Sequence, residues 1–154
     1  MHPKNKVLVG VVTASLIAST ALFEGDKRTS YEDMVGVLTV CHGYTGKDIV
    51  RGKTYTKEEC SSLLKKELQV HAKGVLECTN VPLTQYQYDA YTMFAYNVGV
   101  GAYCKSSLLK KLNRGDYKGA CEGLTAWSYA GGKFVPGLYR RRMYERQMCL
   151  GELK

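Results

Sequence analysis

The chain has 154 residues, a length that allows one domain with a substantial core and excludes two large domains plus a membrane anchor. Its net charge of +8 predicts attraction to polyanions such as nucleic acid, anionic lipid or an acidic cell wall, without choosing among them. Six cysteines favour an oxidising compartment with up to three disulfide bonds over a reduced cytosolic protein with structural thiols.

The first element in the chain is an uncharged stretch over residues 7–23, preceded by Lys4 and Lys6. As a helix it would reach about 25 Å, at the short end for crossing a hydrocarbon core of about 30 Å. Basic residues on its N-terminal side predict an N-terminus left in the cytoplasm and an exported C-terminal domain.

Three fates are open for this stretch. A cleavable secretory signal has the small residues Ser19 and Ala21 at a suitable position, but cleavage there would leave Glu24 third from a frayed terminus. A permanent anchor is disfavoured because the many Gly, Ser, Thr and Ala residues contribute little transfer energy. The composition favours a segment that inserts and can later leave the bilayer.

A β ribbon and a long helix are predicted next. Residues 31–50 are rich in glycine and β-branched side chains, which is typical of a short, turn-rich ribbon. A capping-box pattern begins at Thr56, and apolar residues follow it at helical spacing, so we expect a helix to about Lys73.

The rest of the chain is predicted to be helical. A second capping-box pattern at Thr84 opens a helix that we expect Gly99 and Gly101 to end. Three shorter helices are predicted, over 106–113, from Asp116 as N-cap to Trp127, and over 138–149. A groove between a small β lobe and a larger helical lobe is a natural place for an extended ligand.

Glu24 and Asp33 are the candidates for acid–base chemistry. Cleaving a glycosidic bond needs one carboxyl that donates a proton to the leaving oxygen and an ionised carboxylate that activates water or stabilises charge. Two carboxyls nine positions apart are, by themselves, usually solvated surface groups. The assignment of Glu24 and Asp33 as catalytic carboxyls therefore depends on the residues around them.

The sequence around Glu24 and Asp33 contains further residues at characteristic spacing. Glu24-Gly25 is followed by Asp33, by Thr39 six residues later, and by the turn Gly43-Tyr44-Thr45. Further elements of the same pattern are Tyr96-Asn97-Val98-Gly99, Ser106-Ser107-Leu108, the segment from Gly115-Asp116 to Trp127, and an Arg-rich final helix. Together they resemble the phage-type lysozymes of glycoside hydrolase family 24, and among these the endolysins that carry a signal-arrest-release segment.

The resemblance implies an α+β, lysozyme-like fold: a small β ribbon lobe plus a larger α-helical lobe, with an N-terminal releasable transmembrane helix. It divides the chain into a membrane segment, residues 1–23, and a catalytic domain, residues 24–154. Glu24 would be the general acid, Asp33 the carboxylate that positions or activates the attacking water, and Thr39 a hydroxyl that helps to hold that water. The family's mechanism is expected to be inverting.

The same resemblance implies substrate contacts and partners. Asn97 would bind the substrate's N-acetyl group. Apart from the resemblance, the aromatic residues Trp127 and Tyr129 are expected either to line the sugar cleft or to belong to the core. The expected activity is hydrolysis of the β-1,4 bond between N-acetylmuramic acid and N-acetylglucosamine in peptidoglycan, by a monomer held in the host inner membrane through residues 7–23 and later released to the periplasm. No nucleic acid, cofactor or metal is expected. The alternative is a cationic protein that disrupts membranes without catalysis.

Two departures from the family pattern bear on these expectations. Tyr44 stands where the family commonly has His, with His42 two places earlier, so a structural His–carboxylate pair is expected to be missing. Some membrane-held relatives are kept inactive by a disulfide from a Cys at the Asp33 position to the anchor. Residues 7–23 contain no Cys, so inhibition is expected to be steric: Glu24 cannot enter the cleft while the segment is in lipid.

The remaining cysteines and arginines are expected to be structural. Pairing of sequence neighbours would join Cys41 to Cys60, Cys78 to Cys104 and Cys121 to Cys149. We expect the cluster of Arg140, Arg141, Arg142 and Arg146 to form a solvated helix face that meets an anionic wall polymer.

Overall fold

The computed structural model describes residues 11–153, which form two compact units. The ribbon unit comprises residues 12–69, and the helical unit comprises Val11 and residues 70–153. Residues 1–10, which hold Lys4, Lys6 and the start of the predicted membrane segment, lie outside the described residues.

The ribbon unit begins with a short helix, α1, over Ala14–Ala21. Thr13 caps it, because its Oγ1 accepts a hydrogen bond of 3.1 Å from the backbone N–H of Leu16. Leu16 and Thr20 are buried, so this part of the uncharged stretch packs into the fold. Within residues 11–153, every helix is too short or too polar to span a bilayer.

Strands β1 (Lys27–Glu32) and β2 (Leu38–Cys41) form an antiparallel ribbon, with an irregularity in register between Lys27 and Tyr31. The prediction of a ribbon over 31–50 was therefore wrong at both ends. Its first strand is largely exposed and polar, so it lacks the apolar alternation that marks a half-buried strand. The residues after β2 form turns.

Helix α2, Lys57–Cys78, is the long helix expected after the ribbon, extended by one further turn. The capping box is confirmed: the N–H of Thr56 donates to Oε1 of Glu59 and the N–H of Glu59 donates to Oγ1 of Thr56, each at 3.0 Å. The helix continues beyond Lys73 because Val75 remains fully buried there.

The helical unit contains the following elements: α3 (Gln85–Val98), α4 (Val100–Lys105), α5 (Ser107–Asn113), α6 (Tyr117–Glu122), β3 (Tyr129–Ala130), β4 (Lys133–Phe134) and α7 (Pro136–Cys149). The expected N-caps Thr84 and Asp116 are confirmed by hydrogen bonds to the backbone N–H of Gln87 and Gly119. Helix α6 is shorter than expected and continues as a 3-10 helix over Gly123–Ala126.

Two features of this unit differ from the predictions. Gly99, with φ of 94°, ends α3 as expected, but Gly101 lies inside α4. The hairpin of β3 and β4 was not predicted, because two strands of two residues are too short to carry a periodic pattern.

Three disulfide bonds confirm the pairing of sequence neighbours: Cys41–Cys60 in the ribbon unit, and Cys78–Cys104 and Cys121–Cys149 in the helical unit. Cys41 also belongs to the core of the ribbon unit, together with Val40 and Tyr44. The first bond thus joins the end of β2 to the first turn of α2, and it constrains the turn that follows β2.

Candidate active site

Glu24 is held by the end of α1. The backbone N–H of Leu22 donates to the carbonyl of Ala18 (3.2 Å) and that of Phe23 to the carbonyl of Thr20 (3.1 Å), so the helix closes immediately before Glu24. The Glu24 side chain is half-buried. This carboxyl is therefore carried by an ordered segment rather than by a loose terminus.

The turn after β2 lies beside Glu24. Nδ1 of His42 is 2.8 Å from the carbonyl oxygen of Gly25, and because a carbonyl only accepts, Nδ1 carries the proton. Gly43 has φ of 88°, and a Cβ at this position would lie 4.0 Å from Oε2 of Glu24. A glycine here permits the left-handed backbone and leaves this side of the carboxyl open.

Asp33 lies in the turn that joins β1 to β2. Its Oδ1 accepts hydrogen bonds from the backbone N–H of Val35 (2.9 Å) and of Val37 (2.8 Å), and its own N–H donates to the carbonyl of Val37 (2.9 Å). Oδ2 makes no hydrogen bond with any residue from 11 to 153. One oxygen of the carboxylate is thus used to shape the turn, and the other is available to a water molecule.

Thr39 is buried on β2, opposite Tyr31. Its Oγ1 donates to the carbonyl of Val37 at 2.9 Å, which leaves the hydroxyl lone pairs able to accept a hydrogen bond. Val37 therefore contacts both candidate residues, through its N–H to Asp33 and its carbonyl to Thr39. The ribbon brings these two side chains together as one hydrogen-bonded group.

Strand β1 separates Glu24 from Asp33. Glu24 precedes the strand, Asp33 directly follows it, and the irregularity in register lies between them, from Lys27 to Tyr31. Here β1 advances four residues, from Lys27 to Tyr31, while β2 advances two, from Cys41 to Thr39, so β1 carries two extra residues. Extra residues in one strand bend it and increase its twist. Residue spacing alone does not specify this irregularity.

At the position where the resemblance has His, Tyr44 donates a hydrogen bond to Oδ1 of Asp48. This hydrogen bond, together with burial, raises the pKa of Tyr44 to about 12 and lowers the pKa of Asp48. Tyr44 and Asp48 thus form a Tyr–carboxylate pair at this position. The phenol stays protonated at physiological pH, so this pair keeps its single negative charge.

The two expected substrate contacts belong to the helical unit. Asn97 is exposed in the last turn of α3. Trp127 is half-buried after the 3-10 helix, and its ring meets that of Phe94 edge-on at 5.3 Å between centroids. Asn97 is accessible to a ligand, whereas part of the Trp127 ring is used in packing.

The arginine cluster on α7 is not a solvated face. Arg141 and Arg142 are buried, and the Arg142 guanidinium meets Glu145 with Nε 2.8 Å from Oε1 and lies 4.9 Å from the centre of the Phe94 ring. The prediction is wrong for these two residues. Their sequence neighbours did not reveal that Glu145, one helical turn later, neutralises Arg142 in the interior.

No group of three or more His, Cys, Asp or Glu side chains within residues 11–153 is placed to hold a metal ion. A cavity of about 420 Å³ lies along the first half of α2, lined by Tyr55, Glu58, Glu59, Ser62, Leu63 and Lys66. None of the candidate catalytic residues lines it.

Comparison with known proteins shows the family and the fold to which this chain is similar. Residues 21–145 match the family model described as phage lysozyme. The chain is 50% identical over 127 residues to the SAR-endolysin of Enterobacteria phage PA-2, a match that covers 82% of this chain and 77% of the relative. A crystal structure of a P22 lysozyme mutant superimposes with a TM-score of 0.84 at 32% identity, over 94% of this chain and 99% of that one. The muramidase domain of SpmX from Asticaccaulis excentricus also gives 0.84, at 26% identity, over 91% and 97%.

The hydrogen bonds that Asp33 accepts in this turn predict how substitutions of Asp33 change the free energy of unfolding. Asp33→Asn keeps the Oδ1 acceptor and should change the free energy of unfolding by only a few tenths of a kcal/mol, whereas Asp33→Ala removes it and should cost about 1 kcal/mol. Urea unfolding of both variants measures the difference. Equal losses of stability would show that the two hydrogen bonds to Val35 and Val37 do not hold the turn.

Proposed function

The chain belongs to the phage lysozyme family, and we propose that it is an endolysin that hydrolyses the β-1,4 bond between N-acetylmuramic acid and N-acetylglucosamine in bacterial peptidoglycan, which lyses the host cell. One observation carries the proposal. The ribbon unit holds Glu24 beside an open turn at Gly43 and joins Asp33 to Thr39 through Val37. These are the groups that glycosidic hydrolysis requires.

Glu24 acts as the general acid. Its proton passes to the glycosidic oxygen as the bond from that oxygen to the anomeric carbon breaks, so the leaving sugar departs as a neutral alcohol. Gly43 places no side chain beside Oε2 of Glu24. The contact between His42 and Gly25 holds the backbone on the other side of Glu24 in place.

Asp33 and Thr39 act on the attacking water. Oδ2 of Asp33 accepts a proton from the water while the water oxygen forms a bond to the anomeric carbon. Oγ1 of Thr39 accepts the other water hydrogen, since its own proton is committed to the carbonyl of Val37. Water attacks the face opposite the leaving oxygen, and the configuration inverts.

Asn97 and Trp127 contribute to substrate binding in the helical unit. The exposed amide of Asn97 can both donate to and accept from an N-acetyl group. The half-buried Trp127 presents the part of its ring that does not pack on Phe94.

Residues 1–23 hold the chain in the host inner membrane, and residues 24–154 form the catalytic domain that acts in the periplasm after release. The support is that the same helix cannot be inserted in lipid and packed in the folded chain at the same time. Leu16 and Thr20 are buried in the folded chain, and Glu24 follows the end of that helix. While the segment is in lipid, Glu24 is withheld from the active site, and the enzyme is inactive. The name of the relative in phage PA-2, SAR-endolysin, agrees with this order of events.

Glu24→Gln tests the role of the acid. Loss of the transferable proton should lower the rate at which purified cell walls release reducing ends by about 10²–10⁴-fold, without lowering the melting temperature. Asp26→Asn, an exposed carboxylate two residues later, is the matched control and should remain active. Most of the activity surviving in Glu24→Gln would remove Glu24 from its role. Lysis without new reducing ends would favour the membrane-disrupting alternative.

The configuration of the first product tests the role of Asp33. Inversion of a β-1,4 bond places the new hydroxyl in the α configuration, because water attacks from the opposite face. Proton NMR of a soluble oligosaccharide digest, recorded before mutarotation, distinguishes the anomers. A β product seen first would indicate a covalent intermediate and would exclude Asp33 as a base acting on water.

Membrane fractionation tests the holding step. The full-length protein should sediment with inner membranes and lack wall-hydrolysing activity, then become soluble, uncleaved and active when the membrane potential is collapsed. The control is the same fractionation without collapse. Recovery of a mature N-terminus at Leu22 would indicate ordinary secretion, and full activity of membrane-embedded protein would contradict steric inhibition.

A further inference from the structure

Three exposed aromatic rings lie in a row in the helical unit. Tyr129, Phe134 and Tyr139 are 60%, 50% and 39% exposed. The ring centroids of Tyr129 and Phe134 are 5.7 Å apart, and those of Phe134 and Tyr139 are 5.5 Å apart. We refer to these three residues as the aromatic row.

The backbone that carries the aromatic row is well fixed. Tyr129 and Phe134 are direct partners in the β3–β4 hairpin, so their side chains lie on the same face. The hairpin turns through Gly131 and Gly132, with φ of 58° and 78°, as a tight two-residue turn requires. At its base the N–H of Val135 donates to the carbonyl of Ser128 at 2.8 Å.

Helix α7 supplies the third ring. The N–H of Tyr139 donates to the carbonyl of Val135 at 3.0 Å, which places Tyr139 in the first turn of the helix, directly after the hairpin. The aromatic row is therefore presented by two adjoining elements of regular structure. Its exposure does not come from a loose loop.

Folding alone does not account for this arrangement. Large aromatic side chains contribute to stability mainly by leaving water, and these three remain substantially hydrated. Single exposed apolar residues are common on protein surfaces, but a contiguous exposed patch indicates a binding surface.

We propose that the aromatic row is a second binding surface, on which the sugar rings of a peptidoglycan glycan strand stack. This inference rests on the proposed function for the class of ligand, but not on Glu24 for its chemistry. The C–H bonds on one face of a pyranose ring form an apolar surface with partial positive charge, which complements the negative face of an aromatic ring.

The charges beside the row agree with this ligand. Lys133 in β4 and Arg140 in α7 are exposed, and neither forms an ion pair with a residue in the described part of the chain. The peptide stems of peptidoglycan carry carboxylates, which these two cations can bind without giving up an existing partner.

A lipid surface fits the hairpin less well. The tip, Ala130 to Lys133, carries two glycines and a charge, whereas a membrane-inserting tip presents large apolar side chains. Met34 and Val35 in the β1–β2 turn show what such a tip looks like, at 104% and 82% exposure. The β3–β4 hairpin instead offers ring faces along its side, which suits flat sugar rings.

Binding to purified cell-wall sacculi tests the proposal in full-length protein that carries Glu24→Gln, so that the substrate stays intact. Adding Tyr129→Ala together with Phe134→Ala should weaken sacculus binding about tenfold. Tyr129→Phe with Phe134→Tyr keeps both rings and should bind normally. Tyr86→Ala removes an equally exposed tyrosine from α3 and is the matched control. Melting temperatures establish that each variant is folded.

The probe for the rival ligand is a vesicle of phosphatidylethanolamine and phosphatidylglycerol, whose binding should be the same with and without the alanine pair. Unchanged sacculus binding in the folded alanine variant would overturn the proposal. Loss of vesicle binding in place of sacculus binding would also overturn it, in favour of lipid. The proposed function fails separately, if protein with Glu24 intact releases no reducing ends, because the binding measurement needs no catalysis.

Discussion

The hydrogen bond from Nδ1 of His42 to the carbonyl of Gly25 connects two parts of the chain on which the proposed chemistry depends. One is the segment that leaves α1 with Glu24, and the other is the turn after β2 that contains Gly43. The disulfide bond between Cys41 and Cys60 constrains that turn at its first residue, and the end of α1 constrains Glu24 from the opposite direction. Glu24 therefore keeps its position only when α1 and the ribbon are both folded.

Under the proposed function, this dependence gives the N-terminal segment two environments. The enzyme is inactive while the segment is in lipid and active once the segment packs in the folded chain. Its small residues make it a weak membrane segment, because Ala, Ser and Thr contribute little transfer energy. The same small residues suit a short helix in a folded chain, where Thr13 caps α1 and Thr20 can donate to the carbonyl of Leu16 at 2.8 Å. A sequence richer in Leu and Ile would remain in lipid. Under the proposed function, the low transfer energy of this segment allows one helix both to hold the chain in the membrane and to carry Glu24.

Whether a charged side chain in this protein is buried or exposed depends on its partners in the fold, and its position in the sequence does not reveal this. Arg142 and Glu145 form a buried ion pair, and their charges cancel within the net charge of +8. Lys133 and Arg140 are exposed beside the aromatic row. The positive charge that an acidic wall polymer would meet is therefore carried by particular surface residues.

The sequence by itself determined the features that depend on neighbours within one helical turn. The caps at Thr56, Thr84 and Asp116 need only a backbone N–H three residues away, and they lie where the patterns predicted. The family pattern from Glu24 to Thr39 also identified the fold class, because those residue types recur at a fixed spacing in the phage lysozymes. Six cysteines allow many pairings, and the structure forms the one that joins sequence neighbours, which we preferred.

Only the tertiary structure decided which distant groups meet. His42 reaches Gly25 across the ribbon, and the side chains of Tyr129, Phe134 and Tyr139 line up because a hairpin adjoins a helix. The true bounds of the ribbon and the burial of Arg141 had the same origin. Each depends on how segments far apart in sequence approach each other in three dimensions. The spacing of residues along the chain does not specify that approach.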